Sequence, residues 1–346
     1  MLGSPKRYSR IAMDNTQVLL KRRPSGAPVA EDFEVVTTAV PAIQSGEALI
    51  ENHYVSLDAG FRNWMDEDAG DDVLPAMPLG APVMGLTVGR VLESKHATLR
   101  EGQLVMGRLA WEAYSIAKDD FLIELEESDV PLHYHLGILG DTGMSAYFGL
   151  NDIGQPSENE TVIISAAGGA VGYVAGQIAK IMGAGRVVGI TSSDQKGARL
   201  VAELGYDAWV NHNSPSLNED LSRACPNGID VYFDNVGGPL LEVILEHIND
   251  GARIPFCGAV ADYARLAPQG PSNLFQLVTH SAKLQGFMTH LQVDRYPEAR
   301  RQLLAWIDQG LLKSVAMEYE GVDQCGVAFA NLFAGVNFGK SVVRVR

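Results

Sequence analysis

Six small residues, Ala167, Gly168, Gly169, Ala170, Val171 and Gly172, follow an apolar run at 162–165 and lead into an amphipathic pattern at 170–182. This spacing matches a dinucleotide-binding fingerprint with Ala167 at its first glycine position. The chemistry it serves is anion binding. Gly169 lets backbone N–H groups come close to a pyrophosphate, and Gly172 lets the helix lie close to the strand before it. The helix N-terminus adds unpaired donors and a partial positive charge. Tight turns and close packing also use glycine, so the strand-turn-helix context carries the reading rather than the glycines alone.

About 20 residues beyond such a turn, an NAD-binding fold places an acid on the adenosine ribose. Here stand Thr191, Ser192 and Ser193, with Lys196 one helical turn further on. Hydroxyls can donate to a 2′-phosphate and a lysine can neutralise it, whereas a carboxylate would repel it. NADPH is therefore expected over NADH. Two plainer roles stay open: Ser193 as a helix cap and Lys196 as a solvated lysine. Asp194 also remains open as a displaced ribose acid.

The elements that must position these groups follow from the pattern on either side. From about residue 131, apolar runs at 162–165, 187–191, 231–234 and 253–257 alternate with helical patterns at 170–182, 194–204 and 240–249. That alternation predicts a doubly wound parallel α/β sheet with right-handed crossovers. The first third instead has short β-prone runs, at 48–52, 87–93 and 103–107, with Pro75, Pro78, Gly80, Pro82 and Gly85 breaking any helix. A helical pattern at 296–309 and a β-like run at 341–345 finish the chain, so the tail is expected to rejoin the first domain. The expected division is residues 1–135, 136–308 and 309–346.

A length of 346 residues fits two domains. The net charge of −15 opposes binding to nucleic acid or anionic lipid, though not a local basic pocket. Cys225, Cys257 and Cys325 are odd in number and far apart, which fits a reducing cytoplasm and no disulfide framework. Lys6, Arg7 and Arg10 are followed by no apolar segment, so no secretory signal is expected. The charge-free stretch 161–179 reads as strand, turn and helix rather than a membrane span.

Ile164-Ser-Ala-Ala-Gly-Gly-Ala-Val-Gly172, Gly205-Tyr-Asp-Ala208, Asp230-Val-Tyr-Phe-Asp-Asn-Val-Gly-Gly238 and Gly335-Val-Asn-Phe-Gly-Lys-Ser-Val-Val343 resemble the leukotriene/prostaglandin reductases. These are zinc-free medium-chain dehydrogenase/reductases, in a branch that includes alkenal double-bond reductases and curcumin reductase. Lys21-Arg-Arg-Pro-Ser-Gly26 and the segment from Tyr54 through Arg62 fit the same pattern. The resemblance implies a GroES-like catalytic domain, a Rossmann domain, a cofactor cleft between them and a homodimer. It also implies NADPH-dependent reduction of the carbon–carbon double bond of an α,β-unsaturated ketone or aldehyde. The implied cofactor contacts, besides the turn and Lys196, are Met144, Ser145, Asn235, Val236, Cys257, Gly258, Tyr263, Phe287, Met288 and Asn337. His212 stands where relatives carry a Tyr beside the adenosine phosphate, as a stacking donor or simply a surface residue.

In such a reduction, charge accumulates on the carbonyl oxygen as an enolate, and a donor aimed there lowers the barrier. Tyr263 occupies the position of the family's donor. A phenol, with an ordinary pKa near ~10, keeps its proton at neutral pH. Its loop departs from the family pattern, with Ala261 for Ser and Ala264 for Asn, which puts the orientation of Tyr263 in doubt. A half-buried aromatic without a chemical role is the plainer reading. Asp58-Ala-Gly-Phe-Arg62 also departs, losing a Tyr to Gly60 and implying a wider substrate pocket. No metal is expected: the Gly-His-Glu motif is missing and the first domain has no cysteine. His133 and His135, spaced as on one strand face, lack a third ligand. Trp64 and Met65 are read as pocket entrance or core, and His290 as a proton relay or a bystander. The alternatives are an NADPH quinone reductase and a non-catalytic NADPH-binding protein.

Overall fold

The computed structural model describes residues 13–70, 74–118, 122–264 and 267–345. Lys6, Arg7 and Arg10 lie outside the described residues. The first domain contains β1 (Asp14–Leu20), β2 (Phe33–Ala39), β3 (Ala48–Ser56), β4 (Met84–Ser94), β5 (Leu104–Ala110), β6 (Tyr114–Ala117) and β7 (Ile123–Leu125). The strands β1 and β2 form an antiparallel ribbon, while β3, β4, β5 and β7 run in order through a larger antiparallel sheet.

The second domain begins with α1 (Asp141–Phe148). Strands β8 (Thr161–Ile164), β9 (Arg186–Thr191), β10 (Ala208–Asn211), β11 (Ile229–Phe233), β12 (Ile248–Phe256) and β13 (Lys283–Gly286) alternate with α2 (Gly172–Ile181), α3 (Asp194–Leu204), α4 (Leu217–Ala224), α5 (Gly238–Leu245) and α6 (Gln276–Thr279). All their ladders are parallel, and the spatial order is β10-β9-β8-β11-β12-β13. The order reverses between β8 and β11, which opens a crevice at their carboxyl ends. Side-chain alternation builds the two layers: Val162 and Ile164 face a core shared with α1, α2 and α7 (Tyr296–Asp308), and Ile163 faces a core shared with α4 and α5.

The tail supplies β14 (Ala316–Glu320), α8 (Cys325–Phe333) and β15 (Lys340–Arg344). The strand β15 pairs antiparallel with β3, and α8 buries Cys325, Ala328 and Phe329 in the first domain's core. The chain thus crosses from the second domain to the first between α7 and β14, and residues 334–339 link α8 to β15.

Two local expectations change. The helical pattern read at 240–249 ends at Leu245, because Ile248 pairs with Ile229 in the parallel ladder and pulls the end of that run into β12. His133 and His135 lie in a 3-10 helix (Leu132–Leu136) after Pro131, not on a strand. They therefore do not share a strand face, and among the described residues no group of three or more His, Cys, Asp or Glu is placed to hold a metal. No described helix is long and apolar enough to cross a membrane.

Candidate active site

The turn between β8 and α2 is as tight as its small residues suggest. A Cβ on Gly172 would lie 2.4 Å from the Ala166 carbonyl oxygen and 2.6 Å from the Ala167 Cα, so only glycine lets the helix approach this closely. Ala166 takes a left-handed φ of 46°, which turns the chain sharply after the strand. Ala167 donates to the Ile190 carbonyl at 2.9 Å and Gly169 to the Ala166 carbonyl at 2.8 Å, which locks the loop onto β9. The N–H groups of Gly168, Ala170 and Val171 reach no backbone carbonyl among the described residues, leaving donors at the mouth of α2.

Beside that mouth lies a cationic corner. The Lys196 stem lies against Gly168, and burial lowers the ammonium pKa. His212 faces it; burial, then the Lys196 charge, lowers the imidazole pKa. Among the predicted hydroxyls, Thr191 is turned inward, donating to the Ser193 carbonyl at 2.8 Å. Ser193 caps α3, its Oγ accepting from Lys196 N–H at 3.4 Å. Ser192 lies half-buried beside Gly335. Asp194 accepts from the Asn211 side chain at 2.8 Å and is thereby occupied at the edge of the corner. Phe338, which the sequence reading did not single out, covers Gly168, and the Arg199 guanidinium stacks over its ring at 3.9 Å. Gly339 N–H bonds the Gly168 carbonyl at 2.8 Å, so the segment between α8 and β15, with half-buried Asn337, roofs the turn.

At the switch point, Asp234 is fully buried and organises what surrounds it. Its Oδ1 accepts from Ser165 Oγ, Tyr232 Oη, Val236 N–H and Gly237 N–H at 2.8–3.1 Å. Asn235 is fixed by its side chain to the Ser165 carbonyl at 2.8 Å. Cys257 and Gly258 N–H groups bond the Asp234 carbonyl, Val260 N–H the Asn235 carbonyl and Ala261 N–H the Val236 carbonyl, at 2.8–3.2 Å. The loop carrying Tyr263 is therefore held by backbone bonds, which do not need the family's Ser and Asn side chains.

The Tyr263 hydroxyl accepts a long bond from Ala259 N–H at 3.3 Å, and its own proton goes to no described protein acceptor. Burial raises its pKa, so the phenol stays protonated. Cys257 lies close by, its thiol bonded to Ser145 and pushed up to about 12 by burial. Ser145 also donates to the Asp141 carbonyl at 2.8 Å, and Met144 is fully buried beneath it. Phe287 turns its ring away from the crevice, packing on Phe233 at 6.4 Å, while Met288 is exposed.

The first domain supplies the opposite wall. Arg62 is buried and donates to the Gly26 and Pro24 carbonyls at 3.1 and 3.0 Å. Gly26 in turn abuts the Ala264 carbonyl, so the 24–26 loop touches the Tyr263 loop. A Cβ on Gly60 would meet nothing within 4 Å. Met65 is part of the core and Trp64 packs on it, so neither opens the pocket as an entrance residue. His290 is exposed.

A doubly wound parallel sheet with a glycine turn at its switch point, faced by a β-rich domain that re-enters through the tail, defines a nicotinamide-dinucleotide dehydrogenase/reductase. Residues 16–125 match the family model described as the N-terminal domain of oxidoreductase, and residues 170–308 the one described as zinc-binding dehydrogenase. The chain is 36% identical to the NADPH-dependent curcumin reductase of Escherichia coli, over 96% of this chain and 97% of that protein. It is also 36% identical to the NADP(+)-dependent 2-alkenal reductase of Nicotiana tabacum, over 96% and 98%. The crystal structure of CurA in complex with NADPH from Vibrio vulnificus superposes with a TM-score of 0.88 at 36% identity, over 96% of this chain and 99% of that one. The chain belongs to the medium-chain dehydrogenase/reductases, in the branch of prostaglandin, alkenal and curcumin reductases.

Proposed function

We propose that this protein reduces the carbon–carbon double bond of α,β-unsaturated ketones or aldehydes with NADPH. The division of labour is residues 136–308 for the cofactor and residues 1–135 with 309–346 for the substrate. Bound NADPH supplies a hydride to the β-carbon. The residues fit that cofactor: free N–H groups at the α2 mouth suit a pyrophosphate, and the Lys196/His212 corner suits a 2′-phosphate while Asp194 is engaged by Asn211. Asn235, Val236, Cys257, Gly258, Met144, Ser145, Asn337 and the backbone at Phe287 and Met288 would line the nicotinamide half of the crevice. Tyr263 then donates its unspent proton as a hydrogen bond to the enolate oxygen. That free phenolic proton at the crevice carries the reading.

Polarisation by Tyr263 needs no metal, so turnover is expected to survive exhaustive chelation. The open space at Gly60 supports a wide pocket. NADPH absorbance followed with enones and with a quinone tests the assignment. Turnover of slim and bulky enones alike is expected, whereas turnover of the quinone alone would overturn the reading, and a strict preference for slim enones would reject the wide pocket.

A homodimer is expected through β13. Among the described residues this edge strand pairs only with β12, and it is flanked by exposed Phe275, Val278 and Leu291, at 72%, 66% and 76% exposure. A two-fold axis there would pair β13 with its copy antiparallel and cover that patch. Light scattering should give twice the chain mass, falling to the chain mass in Phe275→Asp/Leu291→Asp; a monomeric wild-type protein would contradict it. The free cysteines suit the cytoplasm, which fractionation against a cytosolic marker would check.

A further inference from the structure

Asp141 opens α1 one turn before Ser145, whose hydroxyl donates to the Asp141 carbonyl and also bonds the Cys257 thiol at the crevice. Asp141 is exposed as a residue, while charged and polar groups from neighbouring elements surround its carboxyl. From α7, Tyr296 Oη donates to Oδ1 at 3.0 Å and Arg300 stands behind, bonded to the Leu139 carbonyl at 2.9 Å. From the substrate wall comes Asp58, and from β15 comes Lys340. These last two are committed to each other: Lys340 Nζ lies 2.5 Å from Asp58 Oδ1 and 3.0 Å from the Leu57 carbonyl, and Ser56 Oγ bonds the other Asp58 oxygen. The Lys340 ammonium is thereby spent on Asp58 rather than on Asp141, whose carboxyl is held by Tyr296.

We propose that Asp141 supplies the proton that the substrate's α-carbon takes up. This rests on the enone-reductase reading above. Hydride addition forms the β-carbon C–H bond and shifts the alkene pair into an enolate. The Asp141 O–H bond then breaks and the α-carbon C–H bond forms with the enolate pair, while the carbonyl is restored. The product is the saturated ketone, and Asp141, left as a carboxylate, regains a proton from water before the next turnover. The surroundings favour the protonated carboxyl: burial foremost, and with it the Asp58 charge, raise the Asp141 pKa against the Tyr296 bond, Arg300 and Lys340. As an acid donor it acts in its protonated form, so the rate must fall as pH rises through its raised pKa.

The test uses an α-methyl enone with NADPH, and the product is analysed before it can epimerise. Wild-type protein should give one α-epimer, Asp141→Asn a mixture approaching equal parts with the β-carbon configuration unchanged, and Asp141→Glu a restored preference. The alkaline fall in kcat should disappear in Asp141→Asn. A single α-epimer and an unchanged pH profile in Asp141→Asn would overturn the proposal. Independently of turnover and of any variant's folding, infrared titration of cofactor-free wild-type protein should show a carboxyl that keeps its proton above the ordinary aspartate range; its absence would also overturn it. Failure of the enone reading is separate: wild-type protein would then consume no NADPH with any enone.

Discussion

Tyr263→Phe is expected to lower kcat for enones by about 100- to 1000-fold, the usual loss when one donor to a developing oxyanion is removed. NADPH affinity should change little, because the ring stays and the groups proposed to hold the phosphates, the glycine turn and Lys196, are untouched. The geometry explains why the effect should be large. Tyr263 receives a hydrogen bond from Ala259 N–H and gives none to a described protein group, so its donor capacity is reserved for a ligand. Replacing the ring by Phe keeps the loop's packing and removes only the proton. Steady-state kinetics with isothermal titration of NADPH would check both halves. Unchanged kcat would reduce Tyr263 to a packing residue.

Lys196→Ala should weaken NADPH binding by about 10- to 100-fold, corresponding to the ~1.5–3 kcal/mol of a hydrogen bond to a charged group. NADH binding should hardly move, since it lacks the 2′-phosphate. The preference for NADPH would thus collapse through loss of one ligand rather than gain of another. A pH dependence accompanies this. The His212 pKa is lowered, so the ring charges only under acidic conditions, and its contribution to phosphate binding should grow as pH falls. Calorimetric titrations of both nucleotides at several pH values would show this; an equal loss for NADH would place Lys196 elsewhere than the 2′-phosphate.

The sheet was legible because its punctuation is local. The helix α3 occupies the residues read from the sequence, since Ser193 caps one end and Gly205, with a φ of 74°, closes the other. No such stop follows Leu245, so the apolar run into Ile248 looked helical until strand pairing claimed it. The glycine turn was equally plain, because steric need leaves its mark on residue type. Contacts that join distant segments were not. Phe338 over Gly168, with Arg199 on its ring, depends on the tail's return to β3. The substitutions at Ala261 and Ala264 suggested a loosened loop, yet backbone bonds to 234–236 hold it, and backbone bonds write nothing into side-chain identity. Nothing in the sequence marks Asp141, because its neighbours Asp58 and Tyr296 come from opposite ends of the chain.

The most direct test of the central claim is the position of transferred deuterium. Wild-type protein given C4-deuterated NADPH and an enone should yield a saturated ketone with deuterium at the β-carbon, read by NMR. Deuterium at the carbonyl carbon of an allylic alcohol, or none in any product, would contradict the account.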